Sequence, residues 1–592
     1  MIKRTLLCAA VLAGLSACSL EITTDDNETH PAKDMQFDLV ARAVLNVQSP
    51  EGAAEIVAYQ KSSGYIYAVN SSGDTATVEI LDLADANPAA LTADSEGVVD
   101  TTNLPIMYTL DVSADVAGDA NSIAVDDNNE ILAVAMAAKS TDERGFIAFY
   151  DISTSVPSFI KSVQVGFLPD MVTFNHAGTQ VIVANEGEPS GDYVIDPEGS
   201  VSIIEIQAGV PADSATEIKF DAFNSLTAQL VAQGVKFANP NGATVAQDLE
   251  PEYVAVSEDD SLAFVSLQEN NAAAVIDLSS KTLLNVFGLG FKNWSMYKLD
   301  VSDKDDAINL QSYNNLYGMY QPDTIASYTV DGKHYLVTAN EGDAREYIDD
   351  ALSGGSVEDE NKDACLTAHP NGLYDFDDGE EICFSYLEES RVKDLEDFAP
   401  LNAELEAMYD NNGGSDGLGR LIVTKELGLN NISNEYEALY SYGARSFSIF
   451  SQSGELVFDS GDDFERLTAE IHGAAFNNNE DENEGDTRSD AKGPEPEALA
   501  IGDIDGRTYA FIGLERMGGI FVYDISKPYN AQYVNYFYNR GLIEGADITG
   551  DLAPEGMKFI HADDSPTGEA LLVIGNEISG SVAVWQISLN KD

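Results

Sequence analysis

The sequence predicts an all-β protein that folds as a seven-bladed β-propeller. Two observations support this prediction: one pattern repeats along the chain, and its short alternating strands come in groups of up to four, separated by Gly, Asp and Asn turns. Most repeats open on a Pro-acid pair, followed by a short strand, a polar turn and a second apolar strand that ends on a polar or acidic residue. Strands grouped in this way are typical of propeller blades.

Seven units carry the pattern, so seven blades are predicted over residues 36–592. The units begin at Gly52, Gly118, Leu168, Leu249, Tyr320, Gly493 and Leu552. A third strand follows most units, as in "GFIAFYDI" and "SVAVWQI", and a fourth often follows, as in "KTLLNVFG".

The first eighteen residues have the pattern of a lipoprotein signal peptide. A basic segment, "MIKR", precedes an apolar run that is too short to span a bilayer. The string "LSAC" resembles a bacterial lipobox with Cys18 as the lipidated residue, and Ser19 after it favours the outer membrane. An ordinary secretory signal with a chance cysteine is the alternative. Residues 1–18 are assigned to the signal peptide and lipobox and residues 19–35 to a flexible tether, which implies export to the outer membrane or cell surface of a Gram-negative bacterium.

A strand is predicted ahead of the first unit, in "FDLVARAVLNV" from Phe37 to Val47. The last unit ends at "QISLNKD" without a fourth strand of its own. The N-terminal strand can complete that blade and close the ring, which would remove an exposed sheet edge.

The fifth unit contains a long insertion, at about residues 343–445, between its second and third strands. It contains Cys365 and Cys383, an even pair in an exported chain, so a disulfide is expected. Insertions of this size usually lie on one face of a propeller, often the binding face.

The charge of the chain is strongly acidic, with 101 Asp and Glu against 31 Lys and Arg and a net charge of −70. Such a surface repels nucleic acid and suits cation binding, although a solvated acidic surface also accounts for many carboxylates. We expect a monomer that contacts the membrane only through its N-terminal lipid.

Acidic residues recur on both sides of the first turn in five units. The pairs are Asp170 and Glu186, Glu252 and Glu269, Asp323 and Glu341, Glu497 and Glu515, and Glu555 and Glu577. In an antiparallel hairpin the start of one strand lies beside the end of the next, and first strands line a propeller channel. These acids are therefore predicted to form a crown around one channel mouth, with Glu55 as a sixth member of the inner set.

The crown predicts a site for Ca²⁺ or Mg²⁺, because converging carboxylates repel each other unless cations bind. The candidate ligands are Glu55, Asp170, Glu186, Glu252, Asp323, Glu341, Glu497, Glu555 and Glu577. Asn185, Asn340 and Asn576 are expected to add amide oxygens. The alternative is that each carboxylate caps a turn or accepts backbone N–H groups at a blade junction.

Basic residues near the crown are few. Arg345, Arg445, Lys492 and Arg516 are candidates for binding an anion or substrate beside a metal ion. Salt bridging within the acidic ring is the alternative. No catalytic residue is assigned, and "NNNEDENEGD", Asn477 to Asp486, is predicted to be a flexible acidic loop.

Several long strings resemble the choice-of-anchor I domain family, over roughly Phe37 to Ile587. They are "GAAEIVAY", "MYQPDTIASY", "LVTANEGDARE", "RSDAKGPEPEALAIGDIDGRTYAFIGLER" and "DLAPEGMKFI". The resemblance implies a seven-bladed propeller at the cell surface. Some members carry alkaline-phosphatase labels, and the family is distantly similar to calcium-dependent propeller phosphatases, but it supplies no established catalytic residue for this chain.

Two functions are expected from these observations. The first is a surface-anchored propeller that holds Ca²⁺ at its acidic mouth and recognises a surface ligand there. The second is a metal-dependent phosphoesterase outside the cytoplasm, in which the metal activates water and no Ser or His nucleophile is needed.

Overall fold

The computed structural model describes most of the chain after the predicted tether. It describes 35–45, 52–73, 75–238, 242–305, 307–353, 362, 364–365, 367–369, 376–377, 382–480 and 482–589. The predicted signal peptide and Cys18 lie outside the described residues, and so does nearly all of the predicted tether. None of the helices in these ranges is long and apolar enough to cross a membrane.

Seven antiparallel sheets, each built around four strands, contain the seven predicted units. The first sheet contains Ala53–Gln60, Tyr65–Asn70, Thr77–Asp82 and Ile106–Asp111, and the second contains Asp119–Asp126, Ile131–Ala137, Arg144–Asp151 and Ser158–Phe167. The third contains Pro169–Phe174, Gln180–Asn185, Ser200–Gln207 and Thr216–Lys219, with Val210–Pro211 beside its third strand, and the fourth contains Val254–Val256, Leu262–Leu267, Ala272–Asp277 and Thr282–Gly288. The fifth contains Ile325–Val330, Lys333–Asn340, Ser446–Ser451 and Leu456–Asp459, the sixth contains Pro496–Ile504, Arg507–Leu514, Ile520–Asp524 and Gln532–Phe537, and the seventh contains Pro554–Ile560, Ala570–Asn576, Ser581–Leu589 and Met35–Val44.

The sheets form a ring around a channel. The first strand of each sheet contacts the first strand of the next, and the first strand of the seventh sheet contacts that of the first. Second and third strands are almost entirely buried, as in Ile131–Ala137 and Ala570–Asn576, because both of their faces pack against neighbouring sheets. The all-β propeller prediction is confirmed.

The N-terminal strand closes the ring, as predicted. Met35–Val44 runs antiparallel to Ser581–Leu589, with Met35 opposite Leu589 and Val44 opposite Ser581. The strand begins and ends slightly earlier than the predicted Phe37 to Val47. Phe37 also stacks on Phe537 of the preceding sheet, with ring centroids 4.3 Å apart.

The insertion in the fifth sheet packs against the linker that precedes the sheet. A five-stranded sheet joins Phe291–Asn293 and Leu316–Met319 of the linker to Leu439–Ser441, Ile422–Thr424 and Glu389–Arg391 of the insertion. Smaller sheets contain Glu346–Ile348, Ile382–Leu387 and Phe376–Asp377, and Leu429–Asn430 with Glu435–Tyr436. The predicted disulfide between Cys365 and Cys383 is confirmed, and both cysteines are buried.

Helices are short and lie between sheets, in loops between strands of one sheet, or in the insertion. The α-helices are Thr227–Ala232, Val245–Asp248, Ala403–Asn411 and Asp463–His472, and the 3₁₀ turns are Leu83–Asp85, Pro88–Ala90, Asp221–Phe223, Val392–Asp397, Gly414–Asp416, Leu418–Arg420, Gly473–Ala475 and Ala562–Asp564.

The predicted flexible acidic loop is instead packed into the protein. Asn477, Asn478 and Asn483 are each at most 1% exposed. Arg540, far along the chain, donates to Asn478 Oδ1 at 2.8 Å, and Asn483 donates to Ala546 O at 3.2 Å. The prediction of a mobile loop was wrong, because the amide side chains of this segment satisfy a buried arginine and a backbone carbonyl.

Candidate metal centre

A β-bulge positions the inner acid at the start of the first strand in the first, third, sixth and seventh sheets. In the third sheet the pairing register shifts between Pro169 and Val172, and Asp170 lies inside the shift. Leu168, just before it, has a left-handed backbone with φ of 45°. The shifts around Glu497 and Glu555 are equivalent. A bulge adds a residue to the strand and redirects its side chain. The acid therefore does not follow the regular alternation of side chains between the two faces of the sheet.

The outer acids are fixed to the same bulges through their backbone. The N–H of Glu186 donates to Leu168 O at 2.9 Å, and the N–H of Glu577 donates to Ala553 O at 2.8 Å. The N–H of Glu515 donates in the same way to Glu495 O at 2.8 Å. The predicted proximity of the two acid positions in each hairpin is therefore present.

The asparagine before each outer acid is part of the fold. Asn185 is fully buried, accepts from Gly166 N–H at 2.9 Å and donates to Ser202 Oγ at 3.0 Å. Asn340 accepts from Thr338 Oγ1 and donates to Ser448 Oγ in a similar way. Each amide oxygen therefore already accepts one hydrogen bond, and each side chain joins the second strand to its neighbours.

Asn576 has the same structural role. Its amide donates to Ser581 Oγ at 3.2 Å, across the second and third strands of the seventh sheet. The Asn-Glu sequence thus combines two functions, because Asn locks the end of the second strand and Glu continues to the channel mouth.

Three groups of three carboxylates have ligand atoms within 4.8 Å of one another among the described residues. The groups are Glu186, Glu252 and Glu269; Asp323, Glu341 and Glu497; and Glu341, Glu495 and Glu515. Ca²⁺ binds carboxylate oxygens at about 2.3–2.6 Å, so oxygens around one ion are up to about 5 Å apart. Each group therefore has the spacing that a single Ca²⁺ ion requires.

Several carboxylates of the crown have an oxygen with no hydrogen-bond donor among the described residues. The unpartnered buried atoms are Oε2 of Glu252, Glu269, Glu497 and Glu555. A buried carboxylate oxygen without a partner costs about 1–3 kcal/mol, more when charged. Such an atom is stabilised by a proton or by a cation.

The acids of the crown raise each other's pKa values. Burial raises the pKa of Asp170 and that of Glu269 to about 7. Burial, followed by repulsion from Glu577, Asp170 and Asp323, holds the pKa of Glu55 well above its usual value. Since these residues belong to different sheets, the crown is one electrostatic unit across the channel.

The same cause acts on other acids of the crown. Burial and then neighbouring carboxylates raise the pKa values of Glu186, Glu252, Asp323, Glu497 and Glu555 well above their usual range. The crown therefore concentrates more negative charge than its surroundings stabilise.

One of the three groups is neutralised by basic side chains. Lys492 forms ion pairs with Glu341 and, at 3.4 Å, with Glu495. Arg516 lies 3.0 Å from Glu515 and 3.2 Å from Glu495, and Arg488 lies 2.7 Å from Glu495. Although burial opposes it, these three cations lower the pKa of Glu495 to about 2.

The group of Glu186, Glu252 and Glu269 differs, because none of the three forms an ion pair with a Lys or Arg in the described ranges. Two of its members also have an unpartnered oxygen, on Glu252 and Glu269. It is therefore the group whose charge the protein balances least, followed by Asp323, Glu341 and Glu497.

Two of the predicted anion-binding arginines are engaged within the protein. Arg345, 3% exposed, contacts Glu250 at 2.9 and 3.0 Å and donates to Asp248 O at 2.8 Å. Arg445, 1% exposed, uses four of its five N–H groups on Glu465 and on three backbone carbonyls. Arg445 therefore stabilises loops of the fold, in contrast to the predicted anion contact.

A cavity of about 430 Å³ lies at the acidic face, between the crown and the insertion. Glu188, Glu269 and Asp343 line it together with Arg345 and Lys492. Burial raises the pKa values of Glu188 and Asp343 to about 7, with repulsion from Glu269 adding to it in both.

Sequence reasoning missed the second acid of the strings "NEGE" and "NEGD". Glu188 and Asp343 each follow the outer Glu by two residues, beyond a glycine of positive φ. The repetition of an acid at this spacing was the available signal. Glu495 was also missed, because only its cationic neighbours reveal its position in the crown.

The comparisons with known proteins give two animal relatives. The chain is 27% identical to a mesenchyme-specific cell surface glycoprotein of Strongylocentrotus purpuratus over 379 residues, which is 60% of this chain and 45% of that protein. It is 30% identical to gigasin-3a of Magallana gigas over 185 residues, 29% of this chain and 64% of that protein. The chain thus spans less than two thirds of either relative.

Solved structures with a similar architecture have low sequence identity. Hydrazine synthase of Kuenenia stuttgartiensis is 11% identical with a TM-score of 0.41, and covers 92% of this chain and 99% of its own. The WD40 domain of Toxoplasma gondii coronin is 9% identical with a TM-score of 0.42, and covers 95% and 88%. Neither similarity carries information about activity.

The family model for the choice-of-anchor I domain matches residues 55–528, from the inner acid of the first sheet to the loop after the sixth sheet's third strand. This protein belongs to the choice-of-anchor I domain family.

Proposed function

We propose that this protein is a surface-anchored propeller that binds Ca²⁺ at its acidic channel mouth and recognises a ligand there. The observation that carries the proposal is the group of Glu186, Glu252 and Glu269. Their ligand atoms lie within 4.8 Å of one another, and two of the three residues have an unpartnered buried oxygen.

The spacing and the residue types favour Ca²⁺ over Mg²⁺. Carboxylates are hard oxygen ligands, which suit both ions. Mg²⁺ requires a near-octahedral shell at about 2.0–2.1 Å and keeps several waters, whereas Ca²⁺ accepts an irregular shell at longer distances. A group of acids drawn from two sheets, with no octahedral arrangement imposed, fits the more tolerant ion.

A calorimetric titration with Ca²⁺ tests the proposal. We expect a dissociation constant in the millimolar range or tighter, and at least tenfold weaker binding in a Glu186→Gln/Glu252→Gln variant. The matched control replaces the exposed Glu258 and Glu569 by Gln, removes the same charge and should leave affinity within about twofold. Equal affinities for both variants would remove the crown from consideration.

The surface location extends the same proposal. A relative is named as a cell surface glycoprotein, and the lipobox pattern at Cys18 offers a lipid anchor. We expect the wild-type protein to fractionate with outer membranes and a Cys18→Ser variant to lose that association. Co-fractionation of the variant with membranes would contradict lipid anchoring.

A metal-dependent phosphoesterase is the second candidate, favoured by the 430 Å³ cavity. Lys492 and Arg345 line it beside Glu269 and Asp343, so positive charge adjoins the proposed metal, although both cations also form ion pairs within the protein. A hydrolysis screen on phosphomonoesters, diesters and lactones tests it. Activity at alkaline pH that both a chelator and Glu269→Gln abolish would support the phosphoesterase. No hydrolysis of any of these substrates would favour the Ca²⁺-binding protein instead.

A further inference from the structure

The cavity of about 430 Å³ between the crown and the insertion has a mainly polar, acidic lining. Five carboxylates contribute to it: Glu188, Glu269, Asp343, Glu346 and Glu389. Its volume is within the range of about 300–1,000 Å³ that is typical of small-molecule sites. A ligand that fills this cavity must therefore satisfy several negative charges.

The three cations of the lining are paired with acids outside it. Arg345 lies 2.9 Å from Glu250. Arg488 and Lys492 lie 2.7 and 3.4 Å from Glu495. Neither of these two partner acids lines the cavity. The positive charge of the lining is therefore already balanced from behind, and it does not neutralise the five lining acids.

The lining acids themselves have almost no cationic partner. Asp343 lies 4.0 Å from Lys492, at the limit of an ion pair. The other four form no ion pair with a Lys or Arg in the ranges that the structure describes. Their charge is therefore left for a ligand.

These carboxylates line the cavity from two sides. Glu188 and Glu269 follow second strands of the propeller, whereas Glu346 and Glu389 belong to strands of the insertion. The two insertion acids lie on neighbouring segments, because the N–H immediately before Glu389 donates to the carbonyl oxygen immediately before Glu346 at 2.9 Å. A ligand in the cavity thus meets negative charge at both of its ends.

Two buried oxygens of the lining also have no hydrogen-bond partner among the described residues. They are the hydroxyl of Tyr442, which is 2% exposed, and Oε2 of Glu269, which is 7% exposed. Leaving such atoms unsatisfied costs free energy. A carboxylate only accepts hydrogen bonds and a tyrosine hydroxyl can accept them, so both atoms indicate a ligand that carries N–H or O–H donors.

The spacing of the acids favours an organic cation over a further metal ion. None of the described groups with ligand atoms within 4.8 Å of one another contains three acids of this lining. The carboxylates are therefore too dispersed to surround one ion, whereas separate ammonium groups need only one or two acids each.

We infer that this cavity binds a small organic dication, such as an aliphatic diamine, between the propeller and the insertion. Each ammonium group has three N–H donors and no acceptor, which matches a lining of unpaired carboxylates. The inference rests on the proposed function, because it names the ligand recognised beside the crown. Ca²⁺ bound at the crown would take Glu269 and leave the other four acids of the lining to the diamine.

Calorimetry with 1,4-diaminobutane on the Ca²⁺-saturated protein tests the inference, and n-butylamine is the matched monocation. We expect saturable binding of one diamine per wild-type protein and at least tenfold weaker binding of butylamine. Glu346→Gln/Glu389→Gln should bind the diamine at least tenfold more weakly and keep its Ca²⁺ affinity within about twofold, because neither residue is a proposed Ca²⁺ ligand. Glu258→Gln/Glu569→Gln removes the same charge at exposed positions outside the cavity and should bind the diamine as wild type does.

Three outcomes would overturn the inference: no saturable diamine binding, equal binding of diamine and butylamine, or equal weakening in the cavity and control variants. If the double cavity variant fails to fold, the single change Glu346→Gln, at an exposed position, should still weaken diamine binding about threefold or more. A Ca²⁺ titration of the same protein separates the two proposals. Ca²⁺ binding without diamine binding would refute this inference alone, and diamine binding without Ca²⁺ binding would refute the proposed metal site alone.

Discussion

Arg42 ties the N-terminal strand to the last blade, and its replacement by methionine tests how the ring is closed. The side chain is 2% exposed. Its Nε donates to Asp551 Oδ1 at 2.7 Å, and its terminal nitrogens donate to Asp100 O at 2.9 Å and Gly550 O at 2.8 Å. Arg42 therefore joins the closing strand to segments at both sides of the ring closure.

The expected cost follows from these contacts. Removing one partner of a buried ion pair costs about 3–5 kcal/mol. Asp551 keeps two donors, Asn539 at 2.7 Å and Ser581 at 2.6 Å, so we expect Arg42→Met to lower the free energy of unfolding by about 3 kcal/mol, the lower end of that range. The double variant Arg42→Met/Asp551→Asn also lacks the unpaired buried charge of Asp551, so it should recover about 1 kcal/mol of the free energy of unfolding.

Urea unfolding monitored by tryptophan fluorescence measures this effect. Trp585 lies opposite Leu39 of the closing strand and 4.7 Å from Phe537, so its emission reports on this sheet. Arg466→Met is the control, because Arg466 is half exposed and its pair with Asp463 is worth at most about 1 kcal/mol. A midpoint shift for Arg42→Met no larger than that of the control would refute the reasoning.

Three further predictions concern the crown. Ca²⁺ affinity should rise from pH 6 to pH 8, because Asp170 and Glu269, with pKa values of about 7, must lose protons before a cation binds. Calorimetry across this pH range should show the rise, and a Ca²⁺ affinity that does not change with pH would contradict the prediction. Asn185→Ala should lower the free energy of unfolding by about 1–3 kcal/mol while the number of Ca²⁺ ions bound stays the same, measured by denaturation and calorimetry; loss of a bound ion would return Asn185 to the ligand set. Lys492→Gln should strengthen Ca²⁺ binding about threefold or more, because the lysine competes for Glu341; weaker binding in the same titration would oppose this account.

The repeat pattern was sufficient to predict the propeller and the position of the acids. Alternating strands fix which residues share a face, and a hairpin brings the start of its first strand beside the end of its second. Asp170 and Glu186 therefore could be placed at one mouth from the sequence alone. The missing fourth strand after "QISLNKD" likewise predicted the pairing of the N-terminal strand.

The division of labour within the crown could not be predicted, because it depends on contacts between distant segments. The sequence predicts Asn185 as a metal ligand, whereas the structure shows its amide hydrogen-bonded to Ser202 Oγ and to the Gly166 N–H. The sequence predicts Lys492 as an anion-binding residue, whereas the structure pairs it with Glu341, which is 151 residues distant in the sequence. Polarity and spacing are visible in a sequence, whereas the partner that satisfies a buried group is set by tertiary packing.

Crystallography with anomalous scattering tests the central claim most directly. In crystals grown or soaked with saturating Ca²⁺ at pH 8, we expect an anomalous peak among Glu186, Glu252 and Glu269, with carboxylate oxygens at about 2.3–2.6 Å from it. No peak at the crown, with the carboxyl groups instead hydrogen-bonded to one another through shared protons, would contradict the account.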